Sequence, residues 1–248
     1  MSGRWWRRLG IPAACVAALE IVCRAGLVAP TDLVPPTLMV RAMADALSQR
    51  ATLRDFGLTM GSVAAAVVIA ALLGIAAGIV LHALPRLRRA CEPFIASYYA
   101  LPLFALYPVL VVIFGIGPTP IIFTGVLYAA MSVLIGTLSG LDHIPRVFRK
   151  AAKVHRLGLT ATIVRLYIPA SAAEILGGIT LAVSYAFVAV IASEFLLAPA
   201  GIGHAIADAY TTFQIERMYG LMLALALLVA VINSGLHLLR ARLGPVAT

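Results

Sequence analysis

Charged side chains are scarce in this sequence, since only 12% of the 248 residues are Asp, Glu, Lys or Arg. Ten acidic residues stand against nineteen basic ones, which gives a formal net charge of +9. Hydrophobic residues make up 62% and the mean hydropathy is +1.01, whereas soluble domains are about 45–50% apolar. This composition excludes an ordinary soluble domain and predicts a protein that lies mostly within a membrane.

Cysteine and histidine are few and carry no metal-binding or redox pattern. Cys15, Cys23 and Cys91 are too far apart for a CxxC motif, and the five histidines form no HExxH motif. The sequence also lacks GxxxxGK followed by Ser or Thr, so the chain has no such loop to hold nucleotide phosphates. We therefore expect no metal ion, no cofactor and no ATP hydrolysis in this chain.

Enzymes and nucleic-acid-binding proteins lack support for similar reasons. The sequence contains no GxSxG motif and no paired aspartates within an apolar run, as an intramembrane enzyme would need. The basic residues flank apolar runs and do not form a soluble module of basic and aromatic residues. We therefore expect neither an enzymatic activity nor a nucleic-acid partner.

Six apolar runs are long enough to cross a bilayer, for which about 20 residues are needed. They lie near residues 11–29, 57–84, 94–114, 120–141, 170–197 and 217–239. Two stretches between them, near 38–49 and 204–216, predict short surface helices. The sequence thus predicts a single all-α domain, residues 1–248, with six transmembrane helices.

Several residues inside these runs bear on how the helices pack. Glu20 and Arg24 can pair on one helical face, which favours an uncleaved first helix over a cleaved signal peptide. Pro102 and Pro108 predict kinks in the third run, which either shape a pathway or only affect packing. The second run also has glycines at small-xxx-small spacing, which permits close helix packing. These are Gly57 with Gly61 and Gly74 with Gly78.

The basic residues are distributed unevenly among the segments between the runs. With the N-terminus inside the cell and six alternating spans, fourteen Lys and Arg residues lie inside and four lie outside. This bias follows the positive-inside rule. It predicts a multi-pass protein of a bacterial inner membrane, with both termini in the cytoplasm and residues 142–169 forming a cytoplasmic loop.

The cytoplasmic loop carries basic residues that fall on one stripe at helical spacing. They are Arg146, Arg149, Lys150, Lys153 and Arg156. Taken alone, such a stripe suits either the anionic headgroups of lipids or a protein partner.

The loop also resembles the EAA loop in the membrane subunits of ABC-type importers, whose pattern is E-A-A-x3-G-x9-I-x-L-P. Aligned on Pro169, the spacing fits from end to end, with Lys150 at the acidic position and Arg156 at the glycine position. A glycine follows two residues later, at Gly158. The resemblance implies that this coupling loop docks onto a cytosolic ATPase. The residues implied in that contact are Lys150, Ala151, Ala152, Lys153, His155, Arg156, Leu157, Gly158 and Pro169.

A second signature reads A-S-E-F-L at 192–196 and is followed by Gly201-Ile-Gly203. It resembles the segment that closes the fifth span in permeases of the nitrate, sulfonate and taurine type. An unpaired carboxylate at membrane depth is costly. Glu194, beside Ser193, therefore either joins helices by a hydrogen bond or ion pair, or contacts the solute on its pathway.

The resemblance implies the type I ABC importer permease fold and a subunit that forms the pathway for a small solute, such as a sulfonate, taurine or nitrate. The implied partners are a dimer of cytosolic ABC ATPases, a second permease copy, membrane lipid, and a periplasmic or lipid-anchored substrate-binding protein. A secondary carrier that works without an ATPase is the alternative. It predicts inverted repeats, and none is visible in the sequence by eye.

Overall fold

The computed structural model describes residues 3–29, 32–144, 147, 158 and 162–242, and these residues are helical apart from short connections. The longer α-helices are α1 Gly3–Arg24, α2 Pro36–Ser48, α3 Arg50–Ala83, α4 Pro85–Ser97, α5 Tyr107–Phe114, α6 Pro118–Asp142, α7 Ala172–Leu197, α8 Ile202–Thr211 and α9 Ile215–Arg242. Two 3₁₀ turns, Tyr98–Ala100 and Leu103–Leu106, join α4 to α5. A π-helical turn, Ile163–Tyr167, and a short helix, Ile168–Ala170, precede α7.

Four helices of the described part are long and apolar enough to cross a membrane, namely α3, α6, α7 and α9. A fifth crossing is formed if 85–100 and 103–114 count as one span, although these two segments meet at an angle of 86°. Helix α1 is not among them, because any stretch of it long enough to span the membrane holds at least three charged residues. The all-α membrane fold is confirmed, whereas the number of six spanning helices is not.

The boundaries of several helices differ from those that hydropathy predicts. The predicted third span over 94–114 begins earlier, at Pro85, and bends by 86° after Ala100, next to Pro102, which is one of the two predicted kink sites. The second span begins seven residues before its predicted start, at Arg50. The polar first turns of these helices lower the local hydropathy without ending the helix, since Arg is a good helix former.

The core of the bundle is formed by α3, α6 and α7, which approach closely at small residues. A Cβ on Gly74 would come within 2.7 Å of the Val133 side chain, and one on Gly136 would come within 2.9 Å of the Gly178 Cα. The close packing predicted for Gly74 and Gly78 is therefore confirmed. Gly57 and Gly61 show no such packing within the described part of this chain, since neither has another group within 4 Å of its added Cβ.

Helix α2 lies beside the first turns of α9, and small residues again allow the contact. A Cβ on Gly220 would come within 2.7 Å of the Ala42 backbone. The Tyr219 hydroxyl also donates to the Asp32 carbonyl at 2.8 Å, so the chain that leads into α2 is tied to α9. This arrangement positions α2 as a surface helix at one end of the bundle.

We call the end of the bundle where α3 and α6 terminate and α7 begins the basic end. Arg88 of α4 contacts both carboxylate oxygens of Asp142 of α6, at 3.0 and 2.8 Å, and the His82 Nδ1 lies 3.1 Å from the same carboxylate. Arg240 of α9 lies 3.8 Å from the Glu174 carboxylate of α7. These contacts join α3, α4 and α6 in one group and α7 and α9 in another, near the point where the coupling loop connects to the bundle.

Candidate functional site

At the opposite end of the bundle, which we call the Glu194 end, the last turn of α7 carries a buried carboxyl group. Glu194 is only 2% exposed. Its carboxyl oxygens accept a hydrogen bond from the Thr59 hydroxyl of α3, at 2.8 and 2.9 Å, and one from the Gly203 N–H, at 3.0 Å. The donors that contact Glu194 are neutral, so the described part of the chain holds it by hydrogen bonds that join α7 to α3 and to the start of α8.

The connection between α7 and α8 folds directly over this carboxyl. Gly201 has φ +110°, and a Cβ there would collide with the Glu194 carboxyl group. A Cβ on Gly203 would collide with the Ile191 carbonyl oxygen. The glycines of the G-x-G segment are therefore required by the carboxyl that they cover, and the spacing from Glu194 to Gly203 has a structural cause.

Two polar residues of α3 complete this network, and neither was predicted from the sequence. Besides donating to Glu194, the Thr59 hydroxyl accepts the Ile202 N–H at 3.0 Å. Asp55, one turn earlier, accepts the Gly201 N–H at 3.3 Å. The only available hint was that both residues lie four apart on one face of α3, and Thr59 is 135 residues away from its partner in the chain.

Ser193 is fully buried but does not join the Glu194 network. Its hydroxyl donates to the Ala189 carbonyl of its own helix at 2.8 Å. Such a bond satisfies a hydroxyl inside a membrane helix without a partner from another helix. The structure therefore gives Glu194, and not Ser193, the contacts that join helices at this end.

Most of the predicted coupling residues lie outside the described part of the chain. These are Lys150, Ala151, Ala152, Lys153, His155, Arg156 and Leu157. Gly158 is described and exposed, and its carbonyl accepts the Thr162 N–H at 2.9 Å. Pro169 is also exposed and lies in the short helix before α7, directly after the π-helical turn.

The chain around Pro169 is anchored firmly to the bundle. The Ser171 hydroxyl donates to the Tyr167 carbonyl at 2.6 Å, which closes the turn that leads into α7. A Cβ on Gly140 of α6 would come within 2.6 Å of the Ser171 side chain, and the Tyr167 ring meets the His82 ring edge-on at 6.5 Å. The described end of the loop thus contacts α6 and α3 as well as α7.

A large apolar groove runs between α7 and α9 and has a volume of about 990 Å³. Its walls include Phe187, Ile191, Met222 and Val229, and few polar groups line it. The groove suits an apolar surface or a lipid chain, and it offers little to a charged solute.

In the described part of the chain, no group of three or more His, Cys, Asp or Glu side chains could hold a metal ion.

Comparison with known proteins decides the family. The profile of the family described as "Binding-protein-dependent transport system inner membrane component" matches residues 70–246. The chain belongs to this family. Its recognition as an ABC-type permease from the two signatures is therefore confirmed.

Relatives within this permease family include proteins named for three different solutes. The chain is 29% identical over 185 residues to the nitrate import permease protein NrtB of Synechococcus elongatus. This alignment covers 73% of this chain and 66% of NrtB. It is 23% identical to the putative aliphatic sulfonates transport permease protein SsuC of Bacillus subtilis, over 96% of this chain and 87% of SsuC. It is 24% identical to the taurine transport system permease protein TauC of Escherichia coli, over 96% of this chain and 88% of TauC. The match therefore spans slightly less than two thirds of the length of NrtB.

A solved structure confirms the permease fold. The chain superposes on a chain of the MetNI methionine ABC transporter with a TM-score of 0.69, over 78% of this chain and 96% of that one. The sequence identity is only 15%, so this likeness concerns the fold alone.

Proposed function

We propose that this permease forms the membrane pathway of an ATP-driven importer for a small solute, and that a separate cytosolic ATPase dimer drives it. The observation that carries the proposal is the family match over residues 70–246, which includes the whole predicted coupling loop. The chain would act as a homodimer in a bacterial inner membrane, with both termini in the cytoplasm.

The distribution of charge supports an orientation with the basic end in the cytoplasm. In the part of the chain that the structure describes, the arginines at this end include Arg86, Arg88, Arg89, Arg165 and Arg240. The positive-inside rule assigns such a cluster to the cytoplasmic side. In that orientation the coupling loop faces the ATPases, and the Glu194 end faces the outside.

The anchoring of the coupling loop supports its role in transmitting force. Gly140 packs on Ser171, and Arg240 reaches Glu174, so α6, α7 and α9 all contact the segment where the loop enters the bundle. A displacement of the loop by two closing ATPases would therefore move three helices together. His155 and Arg156 have side chains able to donate to carboxylates or carbonyls on the ATPase.

The outer end offers a polar depression that suits a substrate-binding protein. It has a volume of about 940 Å³ and lies between α2 and the start of α9, where Arg41, Asp45 and Glu216 line it. Phe213 stands at its edge, is 84% exposed and has a positive φ of 56°. A bulky residue rarely adopts this conformation, and an exposed aromatic ring is a frequent anchor of protein contacts. The solute itself would resemble nitrate, taurine or an aliphatic sulfonate, as the names of the relatives suggest.

Co-purification with the ATPase tests this proposal. Ala152→Asp introduces a charge at a position where the family pattern has a small residue, and should reduce the amount of ATPase retained and the ATP-dependent uptake of solute. Ala44→Asp is the matched control, since Ala44 is exposed on α2 at the other end, and should retain the ATPase. Uptake that continues in vesicles without any ATPase would contradict the proposal and favour a secondary carrier.

A further inference from the structure

The polypeptide breaks between α4 and α5 in a manner that a simple proline kink does not explain. Pro102 has φ −76° and ψ 68°, and the Leu103 N–H donates to the Leu101 carbonyl at 2.8 Å. These values define an inverse γ-turn. The 86° bend between the two helices is therefore built around this turn.

The depth of this break in the membrane can be measured along helix α6. The Tyr98 hydroxyl donates to the Leu127 carbonyl at 2.7 Å, and the Tyr128 hydroxyl accepts the Phe104 N–H at 3.1 Å. At 1.5 Å per residue, Leu127 and Tyr128 lie about 21–22 Å from Asp142 at the basic end of a helix that is about 37 Å long. The break thus lies near the middle of a hydrocarbon core of about 30 Å.

The break is exposed at this depth. Leu101 is 56% exposed, and Ala100 and Pro102 are also exposed. Irregular backbone is not found against lipid, because its polar groups would lack partners there. It occurs at membrane depth where protein covers it or where water fills a cavity.

Aromatic rings and hydroxyl groups surround the break. The Tyr99 ring stacks on the Tyr185 ring of α7, with a centroid distance of 5.0 Å and an interplanar angle of 26°. Tyr99 is 42% exposed. Residues 93–141 contain no Asp, Glu, Lys or Arg, so the end of α4, the break and α5 carry no charged side chain.

We propose that the break at Leu101 and Pro102, with the Tyr99 and Tyr185 rings, is the point in the pathway where the solute contacts this permease. The solute class is a small oxyanion or zwitterion, which is held by hydroxyl groups at the break and not by an ion pair. Neutral hydroxyl groups hold an anion more weakly than a buried cation does, and weak holding favours passage. This inference rests on the proposed transport function and adds the site where the solute is contacted.

Water access to the break tests the inference without knowledge of the solute. In a chain with Cys15, Cys23 and Cys91 replaced by Ser, single cysteines are introduced as Leu101→Cys and, for the control, Val112→Cys. Val112 is 86% exposed on the apolar helix α5. A charged thiosulfonate reagent is added to both sides of vesicles that contain the permease with its ATPase. Leu101→Cys should react at least about tenfold faster, because moving a charged reagent into hydrocarbon costs far more than the 1.4 kcal/mol that corresponds to a factor of ten. Equal rates for the two cysteines would overturn the proposal, whether lipid or a second copy covers the break.

A second measurement separates contact with the solute from packing. Tyr99→Phe keeps the stacked ring and removes only the hydroxyl, and Val112→Ala is the control. Tyr99→Phe should change the ratio of uptake rates for taurine and nitrate by about threefold, since a hydrogen bond inside a membrane protein averages about 0.6 kcal/mol. Unchanged selectivity would remove Tyr99 from the site.

The inference and the proposed function fail in different ways. If Leu101→Cys is unreactive while ATP-driven uptake persists, the break is a packing feature and the transport function stands. If Leu101→Cys reacts while uptake needs no ATPase, the water-filled break stands and the ATP-driven mechanism is wrong.

Discussion

Gly178→Ala provides the sharpest test of the packing described above. A Cβ at this position would lie 2.8 Å from the Ser132 carbonyl oxygen, 3.1 Å from the Val133 Cα and 3.3 Å from the Gly136 Cα. All three are backbone atoms of α6, so no side-chain rotation can relieve the overlap. The added methyl group must therefore push α7 away from α6.

The size of the effect follows from these distances. Carbon atoms attract each other best at about 3.5–4.0 Å, so the helices must separate by roughly 0.6 Å, and a gap of this size removes about a quarter of the dispersion energy at the contact. Overpacking of this kind costs about 1–3 kcal/mol, while Ala improves helix propensity over Gly by up to about 1 kcal/mol. We expect a net loss of about 1–2 kcal/mol in the free energy of unfolding.

The assay is unfolding of the purified chain in mixed micelles with increasing SDS, followed by helical circular dichroism. Gly61→Ala is the matched control, since Gly61 lies in a membrane helix with no other group within 4 Å of an added Cβ. That variant should be neutral or more stable by up to about 1 kcal/mol. If Gly178→Ala and Gly61→Ala unfold at the same SDS fraction, the close contact between α6 and α7 does not exist.

Two further predictions concern the ends of the bundle and use the same unfolding assay. Thr59→Val should cost about 2–4 kcal/mol, because Glu194 and the Ile202 N–H each lose a partner, at about 1–2 kcal/mol each. Thr59→Ser keeps the hydroxyl and should cost about 1 kcal/mol or less, so equal losses for the two variants would remove the hydroxyl from the network. A double-mutant cycle of Arg88→Gln and Asp142→Asn should give a coupling of about 0.5–1 kcal/mol, since both side chains are partly exposed. This coupling should shrink in high salt, and a value that salt does not change would argue against a direct ion pair.

The sequence predicted the class of fold well because membrane insertion depends on summed hydropathy, which is a property of the sequence alone. The position of a bend in a spanning segment is predicted less well from the local sequence. Pro102 and Pro108 were both expected to kink one helix. Pro108 lies in the first turn of α5, where a missing N–H has no consequence. Pro102 instead sits where the helix ends, and the Tyr128 hydroxyl supplies a partner for the backbone beyond it.

Contacts between distant segments explain the remaining differences. Gly57 with Gly61 and Gly74 with Gly78 have the same spacing, but only the second pair meets α6. Spacing shows that close approach is sterically allowed, and it does not identify a neighbour. The role of Thr59 could not be predicted for the same reason, since the partner of its hydroxyl group, Glu194, is distant in the sequence and is brought to it by the fold.

The placement of these contacts along α7 has a mechanical consequence. Helix α7 has 26 residues and is about 39 Å long. Near the basic end it is locked to α6 through Gly178, and at the Glu194 end it is locked to α3 through Thr59. A displacement at Pro169 would therefore reach the Glu194 end with little bending inside α7. The break at Leu101 is joined to this core by the Tyr98 and Tyr128 hydroxyls and by one stacked ring pair. These contacts tie the break to α6 and α7 of the core, while Leu101 and Pro102 themselves stay exposed.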